Sequence, residues 1–327
     1  MSNLSVCIAL LCGLAATIAG SAPASAQADF PNRPITWIVA YAPGGLSDGV
    51  ARIAAGSMQK EIKQPIVIEN RPGGNTFIGT RYLASTNPDG YHIGSLDMGT
   101  LVLNSGLFAK LPYDPVDDFN LIGGLVRHPF LIITNPKFPA SSFAEFIAYA
   151  KAHPGKLSYG SAGNGSAHHI ATEALLHGFG LKAQHVPYKG AAPALQDVMA
   201  SHTDFMLASP AGISDLEKAG GVKVLAITAP SRMPAFPNAV TIAEAGLKNF
   251  VAYSWMTLGA PKGTPEPILK MLEKSLGNSL QDKDVQAKLT GMGLEIMPMS
   301  PKDVTNYVAA QRDYWIPLMK KVGLVAQ

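Results

Sequence analysis

The chain is short of cysteine. Of its 327 residues only Cys7 and Cys12 carry a thiol, and both lie in the apolar N-terminal stretch. Downstream of that stretch no disulfide can form, so stability must come from a buried core. Charge is scarce as well: Asp, Glu, Lys and Arg make up 15% of the chain and the net charge is +3. That is too little to hold nucleic acid or an anionic membrane surface. No second long apolar run follows the first, so no further segment is expected to span a bilayer. Phosphate-binding fingerprints are missing too, both the G-x-x-x-x-G-K-[ST] loop and G-x-G-x-x-G. His168, His169 and His177 stand at offsets of one and nine. Without an i, i+4 pair or a converging set of acids they do not read as metal ligands, so neither a metal nor a cofactor is expected.

What is present begins with a leader. The run "LSVCIALLCGLAATIAG" (Leu4 to Gly20) is followed by Pro23 and by Ala24-Ser25-Ala26, with a second small-residue site at Ala26-Gln27-Ala28. An apolar core followed by A-x-A reads as a secretory signal peptide, 1–26, cleaved after Ala26 or Ala28. The segment before it, "MSNLS", lacks the usual Lys or Arg. Bulky Leu11 ahead of Cys12 argues against a lipidated cysteine. A periplasmic, exported mature protein is expected, without a membrane anchor.

The remaining chain repeats one theme: a β-rich run, a Gly-containing turn, then an amphipathic segment. "ITWIVAYAPGG" leads into "LSDGVARIAAGSMQKEI", "PIVIENRPGG" into "NTFIGTRYLAST", and "KLSYGSAGNGS" into "AHHIATEALLHGFG". Strands alternating with helices predict an α/β fold with parallel sheets, and sites at the C-terminal ends of the strands. Ser142 with Glu145, Thr264 with Pro265, and Ser300 with Pro301 and Asp303 mark the starts of scaffold helices. From about His128 to Ala252 the runs "FLIITN", "KLSYGS", "KAQHVPY", "DFMLAS" and "VKVLAIT" form a βαβ series of their own. The expected organisation is one lobe from 27–127 plus 253–327, with a second, 128–252, inserted in it. The flanks of the insertion were expected to pack together, with the C-terminal part helical. Two crossings, near Arg127 and Tyr253, would form a hinge with a cleft between the lobes.

Gly-rich turns between strand and helix are suited to capturing an anion. The first amides of a helix are unpaired, point outward and carry the positive end of its dipole. Gly44, Gly45, Gly73, Gly74, Gly163 and Gly165 let backbone approach a ligand, and Ser47, Thr76, Ser161 and Ser166 add hydroxyls. Asn75 stands beside Thr76 in the second turn. Asp48 is either a helix-start acid or an acceptor for a ligand. A different reading makes the chain an exported serine hydrolase. In it Ser161 of Gly160-Ser161-Ala162-Gly163 is the nucleophile, with His168 or His169 as base and Asp204 as orienter.

Longer runs carry a resemblance. "FPNRPITWIVAYAPGGLSD", "IENRPGGNTFIGT", "LPYDPVDDF", "YGSAGNGSAHH", "VPYKGAAPALQD" and "APKGTP", in this order, make the chain similar to the Bug family of extracytoplasmic solute receptors of tripartite tricarboxylate transporters. The resemblance implies a two-lobe, type II periplasmic binding protein fold that closes on a small carboxylate or dicarboxylate. It also implies membrane permease subunits as partners, a monomeric receptor and no catalysis. By the same resemblance Pro43, Gly44, Gly45 and Asp48 grip one end of the ligand, and Ser161, Asn164, Gly165, Ser166 and His168 the other. Asp204 would lie near the cleft. Tyr41 replaces a frequent Phe, His169 a usually apolar residue, and Asp97 and Met98 fall in a variable stretch.

Overall fold

A computed structural model describes residues 30–324. The expected leader lies outside the described residues. The first lobe begins with β1 (Ile35–Val39), α1 (Leu46–Ile62), β2 (Ile66–Asn70), α2 (Phe77–Ser85) and β3 (His92–Asp97). A π-helical turn, Gly99–Leu103, runs directly into the short α3 (Asn104–Leu107), and the long β4 (Phe119–Pro129) follows. In β1 the residues Ile35, Trp37, Ile38 and Val39 are all buried, the near-continuous apolar pattern of a strand covered on both faces.

The chain then builds a second sheet. Its elements are β5 (Leu131–Thr134), α4 (Phe143–Ala152), β6 (Ser158–Ser161), α5 (Ala167–Phe179) and β7 (Gln184–Pro187). They are completed by α6 (Ala191–Met199), β8 (Phe205–Ala208), α7 (Ile213–Lys218), β9 (Lys223–Ile227) and β10 (Val240–Thr241). It returns to the first sheet through β11 (Tyr253–Pro261), α8 (Glu266–Gln281), α9 (Lys283–Gly291), β12 (Glu295–Ile296) and α10 (Pro301–Lys321). The strand orders are β12-β4-β11-β3-β1-β2 and β10-β9-β5-β8-β6-β7. The fold is α/β with two lobes, each a mixed sheet flanked by helices: β1, β2 and β3 are parallel in the first, and β6, β7 and β8 in the second.

One element differs from expectation. The C-terminal part of the chain is not only helical: β11 lies in the middle of the first sheet, antiparallel to both β3 and β4. Eight of its nine residues are buried, so it shows no alternation by which to recognise it. Helix starts behave as read at Ser142 and Ser300, whose hydroxyls accept from Glu145 N–H and Asp303 N–H. The start near Thr264 shifts by one residue. Pro265 is the N-cap of α8, and the Thr264 hydroxyl donates to Pro261 O instead. The Ile268, Leu272 and Leu276 stripe of α8 is buried as its spacing requires, each side chain contributing about 2 kcal/mol.

Strand directions position the site. β1, β2 and β3 are mutually parallel and β11 opposes β3, so β4 runs with β3 and ends at Pro129 on the same side as Val39, Asn70 and Asp97. The chain crosses between sheets on that side, from Pro129 to Leu131 and again into Tyr253. In the second sheet β5 enters opposite the C-terminal ends of β8 and β9, pairing Leu131 with Ala208 and Ile227. The C-terminal strand ends of both lobes therefore face each other across the crossings.

Candidate functional site

The turn after β1 is built around Asp48. This side chain is 4% exposed, and its Oδ2 accepts from Gly44 N–H at 2.9 Å and from Arg52 Nε at 2.9 Å. Oδ1 accepts from Asn70 Nδ2 at 3.0 Å, and the same amide nitrogen lies 3.0 Å from Tyr41 O. The Arg52 hydrogen bond, followed by those from Gly44 and Asn70, holds the carboxyl at about 2 despite its burial. Asp48 thus braces the turn from behind, where a ligand does not reach it. Gly44, with φ +79°, directs its amide inward to the same carboxylate.

What the brace leaves facing outward is the start of α1. Its N-cap is Gly45, exposed and without a side-chain cap, and the Gly49 amide is the first to bond back, to Gly45 O at 3.0 Å. The amides of Leu46, Ser47 and Asp48 have no intrahelical partner. The Ser47 hydroxyl makes no hydrogen bond among the described residues. Side-chain caps close α4, α5, α9 and α10, at Ser142, Ser166, Asp282 and Ser300, whereas α8 starts at Pro265 without one. α1, α2, α6 and α7, which follow β1, β2, β7 and β8, start at Gly45, Thr76, Gly190 and Gly212 without a side-chain cap. No Lys or Arg occurs in 40–48, 72–77, 97–105 or 161–169. Within these segments the donors that can meet an anion are amides, hydroxyls and the Asn and His side chains, while Arg52 and Arg312, which contact the first and third, are engaged with Asp48 and with Leu101 O and Ser105.

Of the second turn, Asn75 is exposed and Thr76 is buried; both have positive φ, 52° and 75°. The Thr76 hydroxyl is committed, donating to Asn75 O. Asn104 Nδ2 lies 3.1 Å from Asn75 O, 3.3 Å from Thr76 Oγ1 and 2.9 Å from the Tyr113 hydroxyl, tying this turn to the 99–107 segment. Asn104 and Tyr113 were missed in the sequence because they stand 28 or more residues from the turn they hold. The Tyr41 ring is 38% exposed, whereas its hydroxyl donates to Asp97 Oδ2. Burial, then the Asp97 charge, push this phenol well above its ordinary value, so it remains a donor.

In the second lobe Ser161 is fully buried. Its Oγ lies 2.6 Å from His185 Nε2 and 3.1 Å from both Gly163 N and Gly163 O. The hydrolase reading therefore fails on two counts. The nitrogen at the serine belongs to His185, not His168 or His169, and no substrate carbonyl can reach a hydroxyl enclosed in this way. Ser166 caps α5, accepting from His169 N–H at 3.3 Å and donating to Gly163 O at 2.8 Å. It shapes the loop and has no proton left for a ligand. Gly165 N–H donates to His169 Nδ1 at 3.0 Å, and the His169 ring stacks on His185 with centroids 3.9 Å apart.

Asp204 is not at the cleft. Its Oδ2 accepts from Ser158 N at 2.8 Å and Ser158 Oγ at 3.0 Å, at the N-terminal end of β6 and β8. From Ser158 to the Ser161 end of that strand is about 10 Å. His168 lies at the crossing, edge-on to Phe130 with centroids 5.2 Å apart, and its Nε2 is buried without a partner. Asn164 is exposed, and Gly165 reaches across to the first lobe, where a Cβ added to it would collide with Leu107 Cδ1. Pro43, Gly44, Gly45, Ser47, Asn75, Asn164 and Gly165 remain in the facing turns. Asp48, Thr76, Ser161 and Ser166 stand behind them as braces.

Asp48→Ala removes three hydrogen bonds and the Arg52 ion pair from this brace. It is expected to lower unfolding free energy by roughly 2 kcal/mol, allowing for the half-exposed Arg52. Urea denaturation measures it. Because Asp48 is depressed in the folded state, its contribution is complete above its unfolded value and is lost as pH falls through about 2.

Comparison with known proteins adds to this geometry. Residues 50–324 match the family described as tripartite tricarboxylate transporter family receptor. The protein BugT of Bordetella pertussis is 30% identical over 322 residues, covering 98% of each chain. Among solved structures, the periplasmic binding protein BugD superposes with TM-score 0.83 at 34% identity, covering 91% of this chain and 100% of that one. R. palustris Rpa4515, solved with adipate, gives 0.85 at 32% identity, covering 91% and 100%. MatC from Rhodopseudomonas palustris, solved with bound malate, gives 0.80 at 32%, covering 88% and 99%.

Proposed function

The chain belongs to the tripartite tricarboxylate transporter receptor family, and on that premise we propose that it captures a small organic acid between its two lobes and releases it unchanged. The observation that carries this reading is the uncapped start of α1, in a turn whose neighbouring cation, Arg52, is already engaged by Asp48. Each charge-assisted hydrogen bond from an amide to a carboxylate contributes about 1.5–3 kcal/mol. Two or three of them offset lobe closure without a Lys or Arg. The malate and adipate held by relatives support an acid with two polar ends, one for each lobe.

In this reading Pro43, Gly44, Gly45 and Ser47 present one wall and Asn164, Gly165 and His168 the other. We place the lobe boundaries where the chain changes sheet, between Pro129 and Leu131, two residues beyond the expected 127–128, and just before Tyr253. The mature protein works in the periplasm after removal of the leader, binds as a monomer, catalyses no reaction and delivers its ligand to the permease subunits of such a transporter. Among the described residues no helix is long and apolar enough to cross a membrane.

A thermal-shift screen of aliphatic and aromatic mono- and dicarboxylates on the mature chain tests the proposal. Binding is expected at micromolar Kd or tighter, about 8 kcal/mol. At a hundredfold excess over Kd the ligand adds about 2.7 kcal/mol of stability. A melting temperature unmoved by every acid would overturn the reading.

A further inference from the structure

Beside the uncapped start of α1 the first lobe carries a group of opposite character. Asp97 ends β3, next to β1 at the cleft side of the sheet, and opens the segment that runs through Gly99–Leu103 and α3 to Leu107. Leu107 is the residue that abuts Gly165 of the other lobe. Asp97 therefore lies where the middle of a bridging ligand would pass, while the helix starts take its ends.

Its hydrogen bonding is one-sided. Oδ1 accepts from Thr100 N–H at 2.9 Å and from the Thr100 hydroxyl at 2.5 Å, and Oδ2 accepts from Tyr41. A carboxylate offers about four acceptor positions, so one on Oδ2 is left over. Tyr41 has used its only proton on Asp97, so its oxygen too can only accept. No Lys, Arg or His forms an ion pair with Asp97 among the described residues. Gly99 keeps this corner open: a Cβ there would sit 3.3 Å from Asp97 Oδ1 and 3.6 Å from the Tyr41 hydroxyl. An acceptor-only corner beside the donor amides at the start of α1 matches a ligand that is itself mixed.

Resting on the receptor reading above, we infer that Asp97, positioned by Tyr41 and Thr100, selects organic acids bearing a hydroxyl or ammonium group on the carbons between their ends. A plain acid of the same length leaves the carboxylate dehydrated and unanswered, and unpaired buried polar groups are what make such sites discriminate.

The experiment is calorimetric titration of the mature protein with sets matched in carbon skeleton: succinate, malate and aspartate; propionate, lactate and alanine. Wild type is expected to bind a donor-bearing member at least tenfold more tightly than its plain counterpart. Which of the two binds best tells hydroxyl from ammonium. Asp97→Asn keeps an oxygen for Thr100 and is expected to reduce the ratio below about threefold, with succinate affinity rising as the like charge is removed. Tyr41→Phe keeps the charge but removes one of the contacts that orient it, and is expected to leave a preference smaller than that of wild type and larger than that of Asp97→Asn. Equal binding within the matched sets by wild type, or a preference unchanged in Asp97→Asn, overturns the inference while leaving a carboxylate receptor standing. Absence of heat with every acid removes the receptor reading itself.

Discussion

Gly165→Ala is expected to weaken acid binding by about a hundredfold, or 2.7 kcal/mol, with a smaller effect on folding. Gly165 has φ +75°, and a side chain in that region costs about 1–2 kcal/mol. The free loop can relax by leaving that conformation, and binding must restore it. The new methyl also collides with Leu107 Cδ1 across the lobes. An overpacked contact costs about 1–3 kcal/mol, and this one exists only where the lobes meet, so it falls on the bound state. Titration calorimetry of the double variant Gly165→Ala, Leu107→Ala separates the two causes. It should recover the crowding part and leave the backbone part.

Stability is expected to fall steeply as pH drops from about 6.5 to 4. His168 and His169 are both held down at about 4, His168 by burial and then the neighbouring His128, His169 by burial and then His185. Burial lowers His128 and His185 as well. The sign follows from linkage. Between the folded and unfolded values the unfolded chain binds protons that the native chain refuses, so acid favours unfolding. Each of the first two contributes at most roughly 3 kcal/mol, a large part of the 5–15 kcal/mol of a typical domain. Urea midpoints taken across this range measure the slope. His169→Asn keeps an acceptor for the Gly165 amide and does not titrate, so its slope should be shallower. A midpoint constant between pH 7 and 4.5 contradicts the buried, neutral assignment.

How much of this could be read beforehand depended on whether the signal was local. β1, β2, β6, β8 and β9 announced themselves as short apolar runs closed by turn residues. So did the glycine turns that follow β1, β2 and β6. β11 did not, because Ser254, Thr257 and Gly259 interrupt its buried run, whereas the equally buried β1 reads as a continuous apolar one. Asp48 and Asp97 look alike in sequence, each an acid just past an apolar strand. Their different tasks depend on Arg52 and Asn70 for one and on Tyr41 and Thr100 for the other. Asp204 was misplaced because a strand residue can stand at either end of a sheet, and only the pairing of β6 with β8 decides which. Ser166, read as a ligand hydroxyl, caps α5 instead; its third following residue is His169, without the acid that marks Ser142 and Ser300 as caps. Burial of Ser161 against His185 was not legible, since 24 residues separate them.

A crystal structure of the mature protein with a bound organic acid tests the central claim most directly. One carboxylate is expected about 2.7–3.1 Å from the amide nitrogens of Leu46 and Ser47, or joined to them by a single water, with the Gly165 loop closed over its far side. A carboxylate bound instead through a Lys or Arg, or lying away from the start of α1, would contradict it.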